Sequence, residues 1–155
     1  MTNLNNLILR EIGALSRSIH TISDIKFKEL GLQKGQFIYL TRICENPGIN
    51  QMALSDMLKV DKTTTTKAVN KLESQGYVVR KNDQHDGRVW KLYPQQKAID
   101  IYPVIIDEEN RNINLCFENF SDEEKAGVYQ LVKRMRENIQ NNWQDIKNYG
   151  GNQHD

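Results

Sequence analysis

The chain has 155 residues, which is the size of one domain with at most a short extension. Hydrophobic residues make up 38% of the chain and charged residues 26%, which predicts a modest core under a polar surface. No run of about 18 apolar residues occurs, so a membrane-spanning helix is excluded. The N-terminal segment MTNLNNLILREIG does not have the pattern of a secretory signal, and we expect a cytoplasmic protein.

The net charge of +1 conceals an uneven distribution along the chain. From Lys59 to Lys91 there are eight Lys or Arg against four Asp or Glu, a local charge of +4. From Asp100 to Asp155 there are six against eleven, a local charge of −5. A basic middle favours a polyanionic partner for that segment, although a solvated surface with no partner is also consistent with the count.

The first predicted element is a long amphipathic helix. Apolar residues recur there every three or four positions, which predicts a helix of about 25 residues. The stripe consists of Leu4, Ile8, Ile12, Leu15, Ile19 and Ile22. The segment LGLQKG interrupts it, and QFIYLTRICEN predicts a second helix that ends before Pro47-Gly48.

Two short helices follow, separated by the break KVD. Asn50 is the expected N-cap of the first, whose inward face should be Ala53, Leu54, Met57 and Leu58. Asp61 is the expected N-cap of the second, which begins with four consecutive threonines and closes at Gln75-Gly76. Helical periodicity directs Thr65, Ala68, Val69 and Leu72 inward. The outward side chains are Thr63, Lys67 and Asn70, flanked by Thr64, Thr66 and Lys71. This is a helix-turn-helix pattern.

The next segment has the two-residue period of strands. YVVRK and VWKLY are rich in β-branched and aromatic residues, and the polar turn NDQHDGR lies between them. The pattern predicts a β-hairpin with an extended tip, that is, a wing. Trp90 and Leu92 share a face by alternation, and we expect both to pack on the helices.

The remainder of the chain is predicted to be helical from Gln95 onward, with a kink at Pro103. Ser121 and Glu124 form a capping box that opens the last helix. The first helix and the last two carry more apolar surface than the central module can cover, so we expect them to bury one another across two copies of the chain. The predicted organisation is a helical dimerisation region at 1–30 and 95–148, a winged helix-turn-helix domain at 33–93 and a disordered tail at 149–155.

Threonines at the start of a helix suit a helix that enters the major groove of DNA. Their side chains are short, their hydroxyls can bond phosphates or base edges, and their methyl groups can contact thymine. An arginine after the wing tip, Arg88, can reach a narrow minor groove, and Asp86 can hold it in place. The predicted DNA-contacting residues are therefore Thr63, Thr64, Thr66, Lys67, Asn70, Lys71, Asp86 and Arg88.

Over nearly its whole length the chain resembles the MarR family of bacterial transcription regulators. The most specific part is Leu54 to Leu92, with the recognition-helix pattern LExxG at Leu72-Glu73 and Gly76, and the wing pattern Asp-x-Arg at Asp86 and Arg88. The resemblance implies a homodimer that binds a pseudo-palindromic operator in double-stranded DNA, commonly as a repressor. It also implies release by a small aromatic or amphipathic effector. The segment LYPQQKA after the wing departs from the family pattern.

Other kinds of site have little support in the sequence. No phosphate-binding glycine loop, nucleophile motif or metal cluster occurs, so we expect neither an enzyme nor a cofactor. Cys44 and Cys116 lie among apolar residues, and we expect buried side chains rather than redox thiols. His20, Phe27 and Tyr39 are the only candidates for an effector site, with ordinary core packing as the alternative. A winged-helix module that binds protein instead of DNA is the alternative function.

Overall fold

The structure, a computed structural model, describes residues 1–151, with side chains through residue 148. It confirms the predicted mainly helical fold with a small wing. The helices are α1 (Ile8–Lys26), α2 (Gln36–Glu45), α3 (Gln51–Leu58), α4 (Lys62–Ser74), α5 (Gln96–Cys116) and α6 (Asp122–Gly151), with a 3-10 turn at Lys28–Leu30. The strands are β1 (Ile49–Asn50), β2 (Val78–Asn82) and β3 (Trp90–Pro94).

The chain forms two compact units, Met1–Asn112 and Ile113–Asp155. The first unit contains the helix-turn-helix and the wing, whereas the second contains the last turn of α5 and all of α6. Which residues form a dimerisation region stays a prediction. Among the helices of residues 1–151, none is long and apolar enough to cross a membrane.

The two helices of the helix-turn-helix begin at the predicted caps. Oδ1 of Asn50 accepts a hydrogen bond from the Ala53 N–H at 2.8 Å, and α3 follows. Lys59 then adopts a left-handed conformation with φ of 56°, which ends α3 and redirects the chain toward α4. At the other end of α4, Gly76 has a φ of 75°, the conformation for which glycine was expected there.

The wing is part of a three-stranded antiparallel sheet with the strand order β1-β3-β2. The hairpin of β2 and β3 is confirmed, with Arg80 opposite Leu92. Strand β1 pairs with the other edge of β3, where Ile49 faces Leu92. Strand β1 was not predicted, because two residues are too few to show a period.

The core of the first unit lies between α2, α3, α4 and the sheet. The predicted inward face of α4 is confirmed, since Thr65, Ala68, Val69 and Leu72 are all buried. Two other expectations are wrong. Met57 is 44% exposed because α3 turns Leu54 and Ser55 inward, which leaves Met57 at the margin of the buried face. Trp90 is 51% exposed, whereas Leu92 on the same face is buried.

The long helices differ in detail from their predictions. Helix α1 has 19 residues and begins at Ile8, so Leu4 precedes it. Pro103 lies inside α5, and the kink expected there stays a prediction. The capping box of α6 is confirmed: the Ser121 N–H donates to Glu124 at 2.9 Å, and the Glu124 N–H donates to the Ser121 hydroxyl at 3.1 Å. Of the tail predicted at 149–155, residues 152–155 lie outside the described part of the chain.

Candidate nucleic-acid interface

The outer face of α4 is polar and open to solvent. Thr63, Lys67 and Asn70 point away from the core and are exposed, as the helical period predicted. Their neighbours Thr64 and Lys71 are also exposed. A helix face of short polar and cationic side chains suits the major groove of DNA, which is about 12 Å wide.

Asp61 closes the N-terminus of α4 and also engages one of the threonines. Its carboxylate accepts the Thr64 N–H at 2.8 Å and the Thr64 hydroxyl at 2.7 Å. These two hydrogen bonds, with the backbone one the larger cause, lower the pKa of Asp61. Thr64 therefore offers only lone pairs to a partner. The hydroxyl of Thr63 makes no hydrogen bond to any of the described residues and keeps its proton for a phosphate or a base.

Thr66 directs its hydroxyl into the protein. Its Oγ1 donates to the Lys62 carbonyl at 2.8 Å and accepts a hydrogen bond from Nε2 of Gln51. The hydroxyl proton that we expected to be donated to DNA is therefore engaged in a hydrogen bond within the domain. A DNA contact by Thr66 stays a prediction and would depend on its methyl group or remaining lone pair.

Arg80 of β2 is a part of the site that the sequence analysis missed. Its Nη2 donates to Oδ1 of Asn70 at 2.7 Å and to Oε1 of Gln51 at 3.5 Å. Its Nη1 lies 3.1 Å from Oε2 of Glu73. Residues paired across strands share a face, and Arg80 is paired with the buried Leu92, so its side chain is directed toward α3 and α4. The pairing of Arg80 with Leu92 could have revealed this orientation from the sequence, but only after the two strands of the hairpin had been aligned.

An open cleft of about 900 Å³ lies between α4 and the wing. It brings together three of the predicted DNA-contacting residues, Thr66, Asn70 and Arg88, while the other five lie outside its lining. Trp90 also lines the cleft, two residues from the buried Leu92 along β3 and therefore roughly 7 Å nearer the wing tip. The remaining lining residues include Asn50, Gln51, Met52, Lys62, Glu73, Arg80 and Val89.

At the wing tip, Asp86 holds Arg88 as predicted. Oδ1 of Asp86 accepts the Arg88 backbone N–H at 3.1 Å and the Arg88 Nε–H at 3.2 Å. The Arg88 side chain is 92% exposed, so most of its guanidinium remains available to a partner. The carboxylate orients the arginine without burying it.

Asp83, another residue that the sequence analysis missed, organises the loop that carries Arg88. Oδ1 of Asp83 accepts the backbone N–H groups of His85 at 2.7 Å and Asp86 at 3.1 Å, and Oδ2 lies 2.5 Å from Nζ of Lys91. The Lys91 hydrogen bond, followed by the two backbone bonds, lowers the pKa of Asp83 to about 2. An aspartate before a turn commonly accepts such backbone bonds, which was the signal in the sequence.

The cysteines differ from each other. Cys44 is half-buried, and burial raises the pKa of its thiol to about 11, which disfavours the reactive thiolate. Cys116 is exposed, so its predicted burial is wrong. It lies in the last turn of α5, where the apolar sequence around it faces solvent. Within residues 1–151, no three His, Cys, Asp or Glu side chains gather as a metal site.

Of the effector candidates, His20 and Phe27 pack on Phe37 at the junction of α1 and α2, whereas Tyr39 lies near Thr65 of α4. Phe27 and Tyr39 are buried, and the ring of Phe27 lies 5.4 Å from that of Phe37. The half-buried His20 contacts Phe37 edge to face at 5.8 Å. This is the packing of a core, and an effector role for these residues stays a prediction.

The helix-turn-helix, the antiparallel wing and the shared cleft define a winged helix-turn-helix domain. A model of the MarR family matches residues 30–89. The HTH-type transcriptional regulator YybA of Bacillus subtilis is 41% identical to this chain over 150 residues, covering 97% of the chain and 99% of the relative. A MarR protein of Peptoclostridium difficile is 55% identical, with a TM-score of 0.90 over 94% of this chain and 95% of that one.

A MarR-family transcriptional regulator of Listeria monocytogenes, crystallised with a 26mer DNA, is 38% identical to this chain. It covers 96% of each chain with a TM-score of 0.89. The chain belongs to the MarR family. It is a DNA-binding transcription regulator and not an enzyme.

Proposed function

We propose that this chain is a homodimeric repressor that binds a pseudo-palindromic operator and leaves it when a small molecule binds. The observation that carries the DNA-binding mode is the shared cleft, in which Asn70 of α4 and Arg88 of the wing line one surface. In this mode α4 enters the major groove, while Arg88 reaches the adjacent minor groove. Because the outer face of α4 is polar, a protein-binding module that needs apolar contacts fits it less well.

The dimer is supported by apolar surface that the single chain leaves open. On α1, Ile8, Leu15 and Ile22 share one face and are 43%, 51% and 39% exposed. On α6, Leu131 and Ile139 are 57% and 59% exposed, in a stripe with the helical period. Apolar stripes of this length on a soluble protein mark an interface. A two-fold dimer would present two copies of α4 to half-sites about 34 to 36 Å apart, which is one turn of DNA.

The first experiment identifies the operator and tests the contacts. Fragments of the source genome that the purified protein retains would be sequenced, and a retained duplex would be used in gel shifts. We expect Arg88→Ala and the double variant Thr63→Ala with Lys67→Ala each to weaken binding, while helix content and dimer mass stay unchanged. Lys28→Ala, in the turn after α1, removes one positive charge away from the cleft and is the matched control.

Salt dependence measures the phosphate contacts directly. Because each neutralised phosphate releases counterions, log K should fall with log salt with a slope of about −0.9 per contact. We expect Lys67→Ala to reduce the slope by about 1 relative to Lys28→Ala. Wild-type affinity in the Arg88 and Lys67 variants, or a flat salt response, would contradict the proposed binding mode.

The effector site is supported by buried polar atoms without partners in the first unit. The Ser23 hydroxyl, Oε1 of Gln36 and Nδ2 of Asn112 are buried, and none is hydrogen-bonded to a described residue. Such atoms cost roughly 1 to 3 kcal/mol each when they remain unpaired, so a polar ligand or a second chain would stabilise the protein by pairing with them.

A thermal-shift screen with phenolic compounds would look for such a ligand. A compound that raises the midpoint of unfolding should also release the operator in a gel shift. The direction of regulation follows from a reporter placed behind the operator: repression requires higher expression when the gene for this protein is deleted. Lower expression after deletion would identify an activator.

A further inference from the structure

We propose that Arg80 is a positioning residue that makes Asn70 a hydrogen-bond donor toward DNA, so that Asn70 reads an acceptor on a base. The acceptors in the major groove are O6 and N7 of guanine, N7 of adenine and O4 of thymine. Because Arg80 already donates to the Asn70 oxygen, the two-bond pairing of asparagine with adenine is disfavoured, and Asn70 selects guanine or thymine. This inference rests on the proposed function and names the base class that α4 reads at this position.

The orientation of the Asn70 amide follows from the chemistry of arginine. A guanidinium has only donors, so the atom that faces it at 2.7 Å must be the amide oxygen. The NH₂ group of Asn70 then points away from Arg80. It donates to no group in the described part of the chain, and the residue is exposed in the cleft. The unpaired donor is therefore available to DNA.

The second amide that Arg80 contacts, that of Gln51, is oriented in the same way. Oε1 of Gln51 faces the guanidinium, so Nε2 of Gln51 donates to the Thr66 hydroxyl, which in turn donates a hydrogen bond to the Lys62 carbonyl. Among the described residues, the amide oxygens of Asn70 and Gln51 and the Thr66 hydroxyl each accept a hydrogen bond within this network. The network joins α3, α4 and β2, and it holds Asn70 on a rigid support before DNA arrives. Preorganised groups of this kind lose less entropy on binding.

Arg80 itself is poorly placed to bind a phosphate. Its charge is paired with Glu73 at 3.1 Å, and its side chain is only 26% exposed. Its two Nη atoms already serve Glu73, Asn70 and Gln51. The arginine therefore acts on DNA through Asn70.

Pairing with adenine normally uses both ends of an asparagine amide, because the oxygen accepts from N6–H and the nitrogen donates to N7. At Asn70 the charged Arg80 donor takes one of the two lone pairs of the oxygen, so a bond from N6 of adenine would have to share that oxygen with the guanidinium. Guanine and thymine offer acceptors without that conflict. We therefore expect a guanine or a thymine at the operator position that Asn70 contacts.

The test uses the full-length dimer and a random-sequence duplex pool, from which wild type and Asn70→Ala each select binding sites. Asn70→Ala should lose the preference at one base pair per half-site and bind the wild-type site about five- to thirtyfold more weakly. At a guanine, 7-deazaguanine removes N7 and 2-aminopurine removes O6, and at a thymine 5-methyl-2-pyrimidinone removes O4; the informative analogue is the one that removes the contacted acceptor. The analogue should weaken the wild type about fivefold and leave Asn70→Ala unchanged.

The Arg80 variants separate positioning from support of the fold. Arg80→Met should relax the same base preference while the affinity for a scrambled duplex and the salt slope remain those of wild type. Arg80→Lys can still pair with Glu73 but lacks the planar guanidinium that contacts both amides. It should therefore be more thermally stable than Arg80→Met and still lack the base preference. Lys71→Ala is the contrasting control, because loss of a phosphate contact should weaken all duplexes and lower the salt slope by about 1.

Several results would overturn the inference. One is a preference for adenine at this position, combined with an effect of purine, which lacks the N6 amino group. Replacing the adenine by purine would then weaken binding by wild type but not by Asn70→Ala. Another is a reduced salt slope in Arg80→Met, which would make Arg80 a phosphate contact. If Arg80→Met does not fold, the Asn70→Ala analogue series decides alone. If wild type selects no sequence at all, the proposed function fails; if all variants select the wild-type site equally well, only this inference fails.

Discussion

The winged module and the last helix use apolar residues in opposite ways. In the module, Leu40, Leu54 and Leu72 are completely buried and pack in one core with the sheet. In α6, none of residues 122–148 is buried, although Leu131 and Ile146 recur with the same helical period. A helical period therefore shows which face of a helix is apolar but not which molecule covers that face.

The difference has an energetic consequence. Burying one large aliphatic side chain contributes roughly 1.5 to 3 kcal/mol, so the module gains its stability from contacts within one chain. For α6 the same gain is available only when a second surface covers the stripe. The module should therefore depend on its own core, and α6 on the concentration of the protein.

The largest expected effect is in the core of the module. Leu72→Ala removes a completely buried side chain and should lower the free energy of unfolding by about 2 to 5 kcal/mol. Met57→Ala, at a side chain that is 44% exposed, is the matched control and should change it by less than about 0.5 kcal/mol. Urea denaturation followed by circular dichroism measures both. Equal losses of unfolding free energy in the two variants would show that Leu72 is no more important to the core than Met57.

The next effect tests the open stripe. Leu131→Glu places a charge on the apolar face of α6 and should weaken dimer association by about 2 kcal/mol. Gln130→Glu adds the same charge on the opposite side of the helix and should leave the dimer intact. Light scattering over a dilution series measures the mass of each variant. A dimer in both variants would remove α6 from the interface and break the contrast between the two regions.

A smaller effect is expected at the cap of α4. Asp61→Ala removes the acceptor of the Thr64 N–H and should cost about 1 kcal/mol of stability. Asp61→Asn keeps an oxygen at the same place and should cost only a few tenths of that. Because the folded pKa of Asp61 is lowered, its contribution is present above the ordinary pKa of about 4 and declines as the pH falls below it. Thermal unfolding of the three proteins between pH 3 and pH 7, roughly spanning that titration, measures the difference.

The smallest effect on global stability is expected at the wing. Asp83→Asn weakens the bonds to Lys91 and to the backbone of the tip, which should accelerate amide exchange at His85 and Asp86. In wild type these bonds are complete above a pH of about 4 and are lost as the pH falls through about 2, the lowered pKa of Asp83. Gln84→Ala, at an exposed neighbour, is the control. Unchanged exchange in Asp83→Asn would show that the tip is ordered by other contacts.

Local signals in the sequence determined much of this protein. The caps Asn50, Asp61 and Ser121 were predictable because a short side chain accepts a hydrogen bond from its own helix. The inward face of α4 followed from the period of 3.6 residues, and the Asp86–Arg88 contact from a separation of two residues. Each of these features depends on neighbours in the chain.

Tertiary structure decided the features that join distant segments. Gln51, Thr66 and Arg80 meet only after α3, α4 and β2 have packed, and no local period records their hydrogen bonds. Trp90 has the alternation of a core residue, yet it is 51% exposed and lines the open cleft beside α4. The reason is physical: periodicity fixes the direction of a side chain from its own backbone, whereas burial and pairing depend on which surface stands opposite.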